Sequence, residues 1–211
     1  MSDLLTLFLQ PAGIVLVPLF ACSVIALALI ADRGLALMRL QGVSHARGLS
    51  IRNTASEKGT EEALSELQSD KPFYVAAVKV LKDNLRTDKT LREEAASLEL
   101  QAAGRELSRR LTGLTTIAGL APLLGLLGTV IGLMVAFQSL EGSTGPVEPG
   151  VVAGGLWQAM ITTVIGLIIA VPCLVCHAWF RSRIRYRMAD AAALLTALSL
   201  AADMQGGVHD T

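Results

Sequence analysis

Residues Ala121 to Phe137 read APLLGLLGTVIGLMVAF, at the centre of a run from Leu111 to Leu140 that holds no charged residue. At 1.5 Å per residue such a helix exceeds the roughly 30 Å hydrocarbon core of a bilayer. Within it Ala121, Gly125, Gly128, Thr129, Gly132 and Ala136 recur at steps of three and four, which puts them on one helix face. Leu123, Leu124, Leu126, Leu127, Val130, Ile131 and Leu133 cover most of the rest. Small stripes let helix backbones approach closely in lipid, and Gly128 and Gly132 supply a GxxxG spacing. A single threonine on such a stripe is ordinarily a packed hydroxyl bonded to its own helix, so this helix alone does not define a pore.

Composition rules out an ordinary soluble domain. Of 211 residues, 52% are hydrophobic and 17% charged, with a mean hydropathy of +0.54, against about 25% charge in a typical globular domain. Eighteen basic and eighteen acidic residues cancel, and their mixing argues against nucleic-acid binding. Cys22, Cys173 and Cys176 lie in apolar runs. Cys173 and Cys176 form one i,i+3 pair beside His177, and a zinc site would need a second pair. The thiols are read as small apolar groups, with neither metal nor disulfide expected.

Outward from the central run, the chain divides into spans and polar stretches. Residues 1–11 carry Asp3 and no basic residue, and read as an amphipathic lead-in on the membrane surface rather than a signal peptide. A first span is expected at 12–31, with Pro18 freeing the carbonyl of Ile14 and bending the helix. Residues 32–113 form a helical insertion with 14 Lys/Arg and 12 Asp/Glu. There Thr60 is expected to cap a helix carrying Glu61 and Glu62 in its first turn. Asp88 to Arg110 is expected to run unbroken into the second span, 114–140. A Gly- and Pro-rich turn, EGSTGPVEPG, fills 141–150.

The third span, 151–180, repeats the small stripe in Gly155, Ala159, Thr162, Thr163, Gly166, Ala170 and Cys173, and its Pro172 frees the carbonyl of Ile168. Arg181, Arg183, Arg185 and Arg187 follow, read as topology and anionic-lipid anchors. The segment 181–211 is then an amphipathic helix to about Met204 and a tail. The fold class is an all-α membrane protein with three transmembrane helices, the long ones extending into a helical bundle. Gly125, Gly128, Gly132, Gly166, Pro122 and Pro172 are taken as helix-packing positions.

Orientation follows from the basic residues. All 18 lie between the first two spans or after the third, and none lies in the N-terminus or the 141–150 turn. The positive-inside rule places the N-terminus outside and both the insertion and the C-terminus in the cytoplasm. Thr129 then stands eleven residues from Leu140 and Thr163 twelve from Val151, each roughly 16–18 Å below the outer mouth. Two hydroxyls at matching depth on antiparallel helices are harder to dismiss as packing than one.

APLLGLLGTVIGLMVAF, and AMITTVIGLIIAVP from Ala159 to Pro172, resemble the two signature segments of the MotA/TolQ/ExbB proton-channel family. Three spans, an outside N-terminus and a large insertion after the first span resemble its TolQ/ExbB branch. The flagellar MotA branch has four. The resemblance is specific over Leu111–Arg181 and architectural elsewhere. It implies a homopentamer in the bacterial inner membrane, with a pore lined by the second and third spans. It also implies a dimer of a single-span TolR/ExbD-like partner whose membrane aspartate carries protons, and force passed to a TonB- or TolA-like protein. The family's pore-facing threonines map onto Thr129 and Thr163, with Thr162 and Gln158 completing a polar wall.

One position departs from that pattern. Many members of the family carry a glutamate at the outer start of the third span, where this chain has Gln158. No Asp, Glu, Lys or Arg lies in the three expected spans, and His177 is the only ionisable side chain there besides the cysteines. A proton relay needs a titrating group, so the chain is expected to work against a partner's carboxylate rather than alone. The expected coupling ion is the proton, and no cofactor is implied. Hydroxyl and amide oxygens suit sodium as well. A structural scaffold, in which the stripes only pack helices, is the competing reading. An enzyme is disfavoured by the lack of clustered carboxylates, HExxH, Walker loop or Ser/His/Asp set at lipid depth.

Overall fold

The computed structural model describes residues 15–39, 45–70, 75–85, 87–109, 111–141 and 149–209, apart from some side chains near helix ends and that of Gln158. The lead-in 1–11, the start of the first span and most of the 141–150 turn lie outside the described residues. Seven helices are described: α1 (Leu16–Arg39), α2 (His45–Glu57), α3 (Thr60–Asp70), α4 (Val75–Asp83), α5 (Lys89–Arg109), α6 (Thr112–Glu141) and α7 (Pro149–His209). They divide into two compact units, one of residues 1–34 and 111–179, the other of 35–110 and 180–211. Three helical stretches, Leu16–Leu37, Lys89–Gln138 and Ala153–Met204, are long and apolar enough to cross a membrane.

The first unit keeps its small residues inside and its large apolar ones outside. Ala121, Ala136, Ala159 and Ala170 are buried, whereas Leu123, Met134, Phe137, Ile168, Val171 and Val175 are more than half exposed. A water-soluble unit does the reverse, because burial of large apolar side chains drives its folding. In lipid that force is absent, and close backbone packing holds helices together. Val15, Leu16 and Leu19 at the start of α1 cluster with Ala121 and Ala170, against Leu124, Ile131, Ile165 and Ile169.

Pro18 does not act as the sequence suggests. It is the third residue of α1, where a backbone N–H has no helical partner to lose, so it costs the helix little. α1 also continues past Ala31 to Arg39.

The second unit packs α2–α5 against the later part of α7. Its core holds Ile51, Leu64, Leu67, Val78, Leu81, Leu100, Leu194, Leu195 and Leu198. Between α2 and α3 the chain turns at Gly59, whose φ of +106° favours a residue without a Cβ. The Ala63 N–H donates to the Gly59 carbonyl at 3.3 Å. The Gly59 carbonyl thus accepts the first bond of α3, Thr60 is buried at the helix start, and Glu61 and Glu62 occupy the first turn. Asp88 caps α5, its carboxylate accepting the Thr90 N–H at 3.1 Å.

The helix expected across residues 88–140 is matched by a helical run over Lys89–Gln138, which divides into α5 and α6 around residue 110. Leu111 sits in a turn between them and Arg110 lies outside the described residues. The Leu114 N–H donates to the Leu111 carbonyl at 3.1 Å, an i,i+3 bond tighter than helical. Thr112 and Gly113 are weak helix formers, which makes this a cheap place to change winding. α7 instead runs through 61 residues without a break, five beyond the Met204 at which the sequence reading ended it. Helix propagation adds a bond with each residue fixed, so a formed helix carries weak formers at its end.

Candidate functional site

The small stripes of α6 and α7 meet as an antiparallel hairpin. A methyl group placed on Gly132 would lie 3.0 Å from the Ala159 Cβ, and one on Gly155 2.7 Å from the Ala136 Cβ. On Gly125 it would meet the Thr162 carbonyl oxygen at 2.8 Å and the Thr163 Cα at 2.9 Å. On Gly166 it would meet the Ala121 carbonyl oxygen at 2.5 Å, and on Gly128 the Thr162 Cβ at 2.7 Å. The helices touch backbone to backbone, and only glycine fits at Gly125 and Gly166. Gly125, Gly128, Gly132 and Gly166 thus stand at the helix contact. Pro122 is half-buried within α6, and Pro172 is exposed on α7.

Hydroxyls join the two backbones. Thr162 is 2% exposed, and its Oγ1 lies 3.1 Å from the Gly125 carbonyl across the hairpin and 2.7 Å from the Ala159 carbonyl in its own helix. The hydroxyl has one proton, which these two acceptors share. The neighbouring Thr163 hydroxyl also donates to the Gly125 carbonyl, at 3.1 Å. Thr129 donates within α6 to the Leu126 carbonyl at 2.6 Å.

Position around each helix separates the threonines by role. At about 100° per residue, Thr162 is in phase with the stripe of Gly155, Gly166 and Cys173, and burial agrees. Thr129 and Thr163 stand to one side of that stripe and are half-buried. α1 covers the other side, through Leu124 and Ile131 of α6 and Ile165 and Ile169 of α7. Those residues lie about 120–160° around their helices from Thr129 and Thr163. Gly128 meets Thr162, so Thr129 and Thr163, each one residue further on, lie within about a turn of the same depth. Gln158 belongs to α7 five residues before Thr163, and its side chain lies outside the described ones. The wall away from α1 therefore carries two hydroxyl oxygens on an apolar surface.

One polar feature escaped the sequence reading. Arg92, 2% exposed, lies in the second unit with its Nε 3.1 Å from the Ser199 Oγ. Its guanidinium also donates to the Leu85 carbonyl at 2.9 Å, the Ser199 carbonyl at 3.0 Å and the Asp203 carboxylate at 2.6 Å. The only hint in the sequence was phase: Arg92 precedes Ala96, Leu100 and Gly104 at steps of four, and all four are buried.

Comparison with known proteins gives a consistent picture. The model of the MotA/TolQ/ExbB proton channel family matches residues 65–192. The chain is similar to biopolymer transport protein exbB1 of Vibrio cholerae, 36% identical over 168 residues, which are 78% of this chain and 74% of that protein. It is 33% identical over 175 residues to putative biopolymer transport protein ExbB-like 3 of Synechocystis, 81% of each chain. Over 83 residues it is 36% identical to Tol-Pal system protein TolQ of Haemophilus influenzae, covering 39% of this chain and 36% of that one.

Proposed function

Because the chain belongs to the MotA/TolQ/ExbB proton channel family, in its ExbB/TolQ-like branch, we propose that it is the channel-forming subunit of a proton-driven motor in the bacterial inner membrane. In this reading it is not an enzyme. Five copies surround a dimer of a single-span ExbD/TolR-like protein, with the N-terminus of each copy outside and the polar unit in the cytoplasm. Protons reach the partner's membrane aspartate along the wall that carries Thr129 and Thr163, and the resulting motion drives a TonB- or TolA-like protein.

The observation that supports this most is the placement of the two hydroxyls. They stand at one depth on the side of the α6–α7 hairpin that α1 leaves uncovered. A scaffold needs only the glycine contacts and the bonds of Thr162 and Thr163 to the Gly125 carbonyl. It gives no reason for Thr129 to stand beside the contact at the depth of Thr163.

The test replaces both hydroxyls. Thr129→Val and Thr163→Val nearly preserve shape and remove the oxygen. Each is expected to lower proton flux, measured by pH-sensitive dye in vesicles holding the subunit and its companion, by at least tenfold with the assembly intact. Flux in both variants equal to the parent's would leave the scaffold reading standing. Replacing external protons by sodium in the same vesicles distinguishes the coupling ion.

A further inference from the structure

Within the second unit, α4, α5 and α7 leave a crevice whose lining includes Leu81, Glu93, Ala96, Ser97, Leu195 and Thr196. Its volume of about 40 Å³ takes two or three groups the size of water. The Oε1 of Glu93 is buried there without a hydrogen-bond partner. A carboxylate oxygen in an apolar crevice is poorly solvated and strongly favours a cation beside it.

The described cations of the same copy near the crevice are engaged elsewhere, with one exception. Arg92 is bound to Ser199 and Asp203, Lys89 approaches Asp203 at 4.0 Å, and Lys82 donates to the Ser65 Oγ at 3.2 Å. The exception is Lys79. It is exposed on α4, about 160° around that helix from Leu81, and so points away from its own crevice. No hydrogen bond or ion pair engages it among the described residues.

We propose that the Glu93 crevice receives the Lys79 ammonium of a second copy of this chain. This rests on the ring assembly proposed above. All copies share one membrane orientation, so a closed ring has its axis along the membrane normal, and residues that meet across copies stand at similar heights. Lys79 is two residues from Leu81, which lines the crevice, so the donor and the α4 wall of the crevice differ in height by no more than about one helix diameter, 10–12 Å. A side chain on the outer face of α4 and a crevice between α5 and α7 are different patches, as a head-to-tail ring contact requires. An ammonium at the tip of a flexible four-carbon stem suits a small, largely apolar crevice with one unpartnered acceptor.

Charge exchange tests this in the full-length protein in lipid discs, with assembly read by native mass spectrometry. Glu93→Lys and Lys79→Glu are each expected to cut the ring fraction at least tenfold, and the double exchange to restore it to within twofold of the parent. Single variants that assemble like the parent, or a double exchange no better than the singles, would overturn the pairing while leaving a parental ring intact. A parent that forms no ring would remove the assembly reading itself. Should the reversals fail to fold, Glu93→Cys paired with Lys79→Cys in a chain whose own three cysteines are replaced by alanine serves instead, joined by a bifunctional thiol reagent of about 10 Å reach, since a lysine–glutamate pair holds its Cα atoms too far apart for a direct disulfide. A cross-link between copies supports the contact, and its absence from an assembled ring refutes it.

Discussion

Asp88 and Arg92 lie four residues apart on α5 and do different work. The Asp88 carboxylate accepts hydrogen bonds from the Thr90 hydroxyl and N–H, which hold its pKa below the usual carboxylate value of 3.8. The folded value is thus below the unfolded one, so the cap contributes fully above about pH 4 and is lost as pH falls through the folded value. Thermal unfolding of helicity at pH 7 and pH 3 should show a smaller acid loss for Asp88→Asn, which caps without a charge. Arg92 is a heavier commitment, since its buried guanidinium ties α5 to α7 through Ser199 and Asp203. Arg92→Met is expected to lower stability by about 3 kcal/mol, because bonds to a charged group each contribute about 1.5–3 kcal/mol and some packing is retained. Denaturant titration of helicity checks this. Asp88 was legible as a helix start, whereas burial of Arg92 depended on which helix packs against α5, a tertiary choice that no local pattern carries.

At the scale of helices, the α6–α7 hairpin turns on where a Cβ could fit. Gly125 and Gly166 face backbone atoms that cannot rotate away, so Gly125→Ala and Gly166→Ala are expected to cost about 1–3 kcal/mol by overpacking. Gly119 and Gly154 have nothing within 4 Å of the added methyl, and alanine there should be neutral or favourable by up to about 1 kcal/mol. Resistance of the hairpin to separation in graded detergent would rank the four, and equal behaviour would contradict the contact described. The glycine stripes were legible because helical phase alone determines them. Thr162 was read with Thr163 as a wall residue, yet one residue of phase sends it into the contact, and counting from Gly155 in steps of seven and four would have told them apart. The turn at Leu111 was hidden because Thr112 and Gly113 weaken a helix only mildly, and the role of Pro18 depended on where α1 begins.

For the molecule as a whole, an apolar unit turned inside out and a polar unit with a conventional core demand different solvents, and the sequence announced that division through charge alone. The family match, residues 65–192, takes in the α6–α7 contact, and the wall away from α1 carries hydroxyls among large apolar side chains. That wall has an electrical asymmetry. The hydroxyl protons of Thr129 and Thr163 are already given to the Leu126 and Gly125 carbonyls, so what faces outward is lone pairs. The two hydroxyls accept a hydrogen bond from a neutral carboxylic acid, or steady a passing cation, and offer no proton to an ionised carboxylate. An acid moving past them would be held while protonated and let go once it ionised, so the wall would act as a ratchet tooth that reads charge.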